Sequence, residues 1–124
     1  MSTIDKNNAG AFPILNVEEG VARFAGNKVV YFKILAKFGA LNSTFLSDLE
    51  AAVEAGNKET YTRLLHSMKG ASGNVSATAL FELSRELELG AKTNAPSFDP
   101  AKILPRIKPA YEALLAEIAR ITAT

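Results

Sequence analysis

Apolar residues return at helical spacing almost everywhere in this chain, and nowhere do they alternate as a half-buried strand would. That pattern restricts the fold to amphipathic helices packed on one another. Tyr61, Leu64, Leu65, Met68, Ala71, Ser72 and Val75 keep one such stripe. Tyr31, Phe32, Leu35, Phe38, Phe45, Leu46, Leu49 and Val53 keep a second, and Leu80, Leu83, Leu87 and Ala91 a third. Ile103, Leu104, Ile107, Tyr111, Leu114, Leu115 and Ile118 keep the last.

Cap and turn residues divide these stripes. Asn16 is an N-cap with Glu19 at capping-box spacing and Gly26 as the stop, which predicts a short helix over 17–25. Asn27 opens the longest predicted helix, 28–55, which Gly56-Asn57 ends. The next runs from Lys58 to Gly73, and Asn74 or Ser76 caps a fourth over 77–92. Asp99-Pro100 opens the last helix, where Pro105 and Pro109 predict a kink or a break. Short connections make sequential helices antiparallel neighbours. The expected fold is therefore all-α, an antiparallel four-helix bundle with a short N-terminal capping helix. Residues 1–12 are expected to be a flexible tail, and 13–124 one bundle domain.

A chain of 124 residues with 48% hydrophobic content supports a single folded core. Fourteen basic residues against thirteen acidic ones leave a net charge of +1, which offers no electrostatic reason to expect nucleic acid or an anionic membrane as partner. No apolar run approaches the ~20 residues of a bilayer span, so no membrane insertion is expected. Asp5 and Lys6 interrupt any signal-peptide pattern, and the expected location is cytoplasmic. The expected state is a monomer. Cysteine is absent, which removes disulfides and thiolate chemistry.

The one histidine, His66, lies roughly 160° around its helix from Met68, the centre of the buried stripe, and so is predicted to face water. Thr62, Arg63, Lys69, Gly70 and Gly73 share that outer face. A mid-helix glycine costs about 1 kcal/mol relative to alanine, so Gly70 and Gly73 need a reason. One reason is clearance for another protein to descend on the imidazole. The other, open above all for Gly73, is that a glycine ends the helix.

The run from His66 to Ala77, HSMKGASGNVSA, resembles the phosphoacceptor motif of histidine-containing phosphotransfer (HPt) domains. The matching positions are His66, Lys69, Gly70, Ser72 and the small pair Ser76-Ala77; Ser76 stands where that family usually has glycine. Weaker similarity extends to Ile14–Asn16 and Gly20–Asn27 upstream, and to Leu80, Leu83, Leu87 and Glu88 downstream. The resemblance implies a phosphorelay intermediate that is reversibly phosphorylated on His66. It implies partners as well: the receiver domains of a hybrid histidine kinase and of a response regulator, which supply Mg²⁺ and the phosphorylated aspartates. This chain itself is expected to bind no cofactor and no metal.

A free imidazole titrates near ~6.5, so a neutral nucleophilic form is available at physiological pH. Lys69, about 60° around the helix from His66, is placed to neutralise a phosphoryl group, with an ordinary solvated lysine as the alternative. Arg63 is within reach of phosphate, but reads better as a solvated side chain. Together with Thr62, Gly70 and Gly73 it belongs to the expected docking face. Ser72 is expected to pack inward. No Gly-x-Ser-x-Gly element, P-loop or metal-ligand spacing is present, so any phosphoryl group must come from another protein. Whether the chain counts as an enzyme is left open. The competing reading is a non-phosphorylated helical module that docks receiver domains.

Overall fold

The computed structural model describes residues 12–123, all helix and loop among them. Apart from Phe12, the expected N-terminal tail lies outside the described residues. The helices are α1 (Val17–Arg23), α2 (Lys28–Leu41), α3 (Phe45–Glu54), α4 (Lys58–Asn74), α5 (Thr78–Thr93) and α6 (Ile103–Thr122), the last entered through a 3₁₀ turn at Pro100–Lys102.

Four starts are set by a side chain that accepts from a free N–H of the first turn, at Asn16, Asn27 and Asp99 as the sequence indicated and at Asn57 besides. α5 instead follows Ala77 with no side-chain cap, so neither Asn74, which is still inside α4, nor Ser76, whose hydroxyl accepts from Arg23, caps it as expected. Asn16 Oδ1 accepts from Glu19 N, Asn27 Oδ1 from Val30 N and Asn57 Oδ1 from Thr60 N, each at 3.1 Å. Asp99 Oδ1 accepts from Ala101 N at 3.0 Å. The turns after α1 and α3 place Gly26 and Gly56 at φ of 80° and 66°, where a Cβ is strained.

Two boundary expectations are corrected. The predicted 28–55 helix is two helices, separated at residues 42–44. Asn42 Nδ2 donates to the Phe38 carbonyl at 2.9 Å, and Tyr111 of α6 donates its hydroxyl to the Asn42 carbonyl at 2.8 Å, so the freed backbone groups are met from outside the helix. Conversely, α6 runs unbroken through both prolines. Pro105 falls in its first turn, where the absent N–H had no partner to lose, and Pro109 is the one truly interior proline.

Tyr31, Leu35, Phe45, Leu49, Leu65, Met68, Leu80, Ile103, Ile107 and Leu114 form the centre of one core. By length and hydropathy Lys28–Glu54 also reaches what a membrane span needs, contrary to the sequence reading. That stretch is interrupted at 42–44, turns Tyr31, Leu35, Phe38, Phe45, Leu49 and Ala52 into the core, and carries Lys33, Lys37, Asp48 and Glu50 on its exposed side, as a core element does.

The α4–α5 pair is the most extensive contact in the molecule. It runs antiparallel: Lys58 meets Asn94, His66 meets Glu88, and Gly73 lies against Phe81. α1 closes the far end of this pair. Gly20 is bare so that the Tyr31 ring can lie against it, and the Tyr31 hydroxyl donates to the Val75 carbonyl at 2.8 Å. Burial, with the Glu19 charge nearby, pushes the Tyr31 phenol up to about 12, so it stays a donor. The turn into α5 holds Ser76 at φ 60°, a left-handed conformation that favours glycine. Here serine is retained by two contacts from α1 and its cap: Asn16 N–H donates to the Ser76 carbonyl at 2.8 Å, and Arg23 Nε donates to Ser76 Oγ at 3.1 Å.

Candidate functional site

α4 buries Tyr61, Leu65, Met68 and Ser72, which leaves His66 on the opposite side with 65% of its side chain exposed. Ser72 Oγ turns back to the Met68 carbonyl at 2.6 Å, a small inward residue as expected. The His66 ring does not float free. Its Nδ1 lies 2.8 Å from Oε2 of Glu88, a residue of α5 whose side chain is only 5% exposed. Lys69 Nζ lies 2.9 Å from Oε1 of the same carboxylate, and Lys92 Nζ lies 3.7 Å from Oε2.

Burial alone pushes the Glu88 carboxyl up. The hydrogen bonds and charges of Lys69 and His66 outweigh it and hold the group below the ordinary carboxylate value. Glu88 is therefore ionised at neutral pH, and an ionised carboxylate only accepts. It follows that Nδ1 carries the ring proton as donor, and that Nε2 bears the lone pair. A neighbouring helix thus selects the tautomer that leaves the far nitrogen unprotonated on the exposed side of the ring.

The outer-face residues do not form one surface. Taking His66 as zero, Thr62, Lys69 and Gly73 lie about 20–60° to one side and Gly70 and Arg63 about 40–60° to the other. α5 covers the first side. Thr62 is half-buried, with its hydroxyl oxygen shut off from water and without a partner among the described residues. Lys69 is turned onto Glu88. A Cβ on Gly73 would stand 3.0 Å from Cδ1 of Phe81, so this glycine is a close-packing position rather than open clearance. Nor does it end α4, which continues to Asn74. The second side is open: Arg63 and Gly70 are exposed, and a Cβ on Gly70 would meet nothing within 4 Å.

Sequence reasoning placed Glu88 only as part of a helix match and gave it no role. The available signal was a carboxylate in line with Leu80, Leu87 and Ala91 on the inward stripe of α5, where a charge is out of place unless something faces it. Lys92, one turn further, carried no signal of its own. Among the described residues no three His, Cys, Asp or Glu side chains gather as metal ligands would.

No curated protein and no solved structure matches the chain. A family model described as the Hpt domain matches residues 33–123, a span that holds His66, Lys69, Glu88 and Lys92 together. With well over half of its length covered by that match, and the whole of the histidine–carboxylate cluster inside it, the chain belongs to the Hpt domain family.

Proposed function

We propose that this chain is a phosphorelay intermediate, phosphorylated reversibly on His66 Nε2 and passing phosphoryl groups between receiver-domain aspartates of a hybrid sensor kinase and a response regulator. The family implies phosphotransfer in two-component signalling. The observation that carries the finer reading is the Nδ1–Glu88 hydrogen bond, which leaves the lone pair on the exposed side of the ring.

In the transfer step the Nε2 lone pair forms a bond to phosphorus, while the bond from phosphorus to the aspartyl oxygen breaks and its electron pair stays on the receiver carboxylate. The ring, still holding its Nδ1 proton, becomes cationic, and Glu88 is its counter-charge. Lys69 supplies positive charge to the phosphoryl oxygens, and the open side at Gly70 admits the receiver surface. Catalysis of this kind is positioning and charge stabilisation. Mg²⁺ belongs to the receiver in this scheme, which runs in the cytoplasm. The scheme takes the α2–α3 pair as one arm of a four-helix antiparallel bundle, with α1 as its cap.

The test is incorporation of acid-labile phosphate from a phosphorylated receiver and from phosphoramidate, in the parent and in His66→Gln. The parent should label and the variant should remain helical and unlabelled. Labelling of the variant, or a parent that binds the receiver but never labels, would leave the docking-module reading in its place.

A further inference from the structure

Three nitrogen donors face the Glu88 carboxylate, and only two of them hold its oxygens at hydrogen-bond distance. Oε1 is occupied by Lys69 at 2.9 Å and Oε2 by His66 Nδ1 at 2.8 Å, both at hydrogen-bond distance. Lys92 stands further off, 3.7 Å from Oε2, on a side chain 60% exposed and therefore free to swing on its long stem. The other charged side chains of this stretch of α5 are engaged elsewhere: Arg85 with Glu82, and Glu86 with Arg106.

On the phosphoacceptor reading above, a phosphoryl group on Nε2 brings close to two negative charges beside Lys69 and draws that ammonium away from Glu88. Oε1 would then be left without a donor in a side chain shut away from water, which weakens the hold on the charged form and biases the carboxylate toward taking up a proton even with the ring still on Oε2. That would be the wrong moment to lose its charge, because the phosphorylated ring is cationic and needs a counter-charge more than the free ring does.

We propose that Lys92 is the reserve cation of this site: it rests loosely beside Glu88 in the free protein and closes onto the carboxylate when Lys69 turns to the phosphoryl group. It is a positioning residue, acting on the ring through Glu88 and touching neither the phosphoryl group nor the receiver. The arrangement lets one lysine change partners without leaving a buried charge alone.

The decisive experiment needs no phosphate. Glu88 titration is followed by carboxyl ¹³C NMR in the parent, Lys69→Gln, Lys92→Gln and the double variant. A reserve is used only when the first partner is gone, so each single replacement should raise the midpoint a little. The double replacement should raise it by about one pH unit or more beyond the sum. Lys92→Arg in the Lys69→Gln background should keep the low midpoint. Strictly additive shifts, or a Lys69→Gln background indifferent to the charge at position 92, would overturn the proposal.

A second arm measures the phosphohistidine half-life after loading with phosphoramidate. Lys92→Gln should shorten it several-fold, while Arg85→Gln, which removes another largely exposed charge of α5, one paired with Glu82 rather than Glu88, should not. An unchanged half-life in Lys92→Gln would also overturn the proposal. A parent that never loads would sink the phosphoacceptor reading alone, and the titration would still decide the role of Lys92.

Discussion

The seam between α4 and α5 is built in two ways along its length. Around His66 and Glu88 it holds long polar side chains that meet across a gap: a carboxylate inside, with cations arriving from both helices. Two turns further along α4, at Gly73 and Phe81, it holds a ring set almost directly on bare backbone. One end is specified by charge and tolerates movement of its lysines. The other is specified by volume and tolerates very little. The two glycines of α4 fall on either side of the same distinction: a side chain at Gly73 would press on the Phe81 ring, whereas Gly70 faces open space and has no packing reason to be glycine.

The largest effect should come from the charged end. Glu88→Gln keeps the shape but replaces an acceptor with an amide that can either donate or accept, so the ring tautomer is no longer dictated. Phosphoryl transfer should fall about 10–100-fold, as when the partner that orients a functional histidine is lost, and ring ¹⁵N shifts should report mixed tautomers. Unchanged transfer would detach reactivity from the buried carboxylate. Acid should produce a related loss. Glu88 is more acidic in the folded than in the unfolded chain, so its contribution to stability is fully present above the ordinary carboxylate value of ~4.3 and is lost as pH falls through the lower folded value.

Next comes the tight end. Gly73→Leu overpacks the crossing and should destabilise by about 1–3 kcal/mol in thermal or urea unfolding. Adding Phe81→Ala should recover part of that loss, because the two side chains would compete for one space. If Gly73→Leu unfolded like the parent, the seam would be looser than its geometry implies.

The smallest effect should have the opposite sign. Gly70→Ala places a better helix former in open space and should stabilise by up to about 1 kcal/mol. A loss of stability there would mean that the two glycines are not different after all.

Much of this was legible in the chain because it is local. Asn16, Asn27 and Asp99 each announce a helix start through a bond made within a few residues. The outward placement of His66 was legible from helical spacing alone. What was hidden depends on a neighbour far away in sequence. The apolar stripe resumes in register at Phe45 and masks the polar run Asn42-Ser43-Thr44, whose interruption of the helix is held partly by Tyr111 of α6. The division of the His66 face into a covered and an open side depends on which flank α5 occupies, and helical spacing in α4 says nothing about that. Ser76 shows the converse: its departure from the usual glycine was visible, but the α1 contacts that hold it at positive φ were not.

His66 and the carboxylate that selects its tautomer sit on different helices. The rise along a helix is about 1.5 Å per residue, so a slip of α5 by even one residue would carry Glu88 out of reach of a 2.8 Å bond. A chain caught half-folded, or opened by a protease, still possesses its histidine but has lost the carboxylate that fixes its tautomer. On the proposed function, competence to carry a phosphoryl group would thereby be tied to structural integrity, and damaged copies would withdraw without any separate inspection.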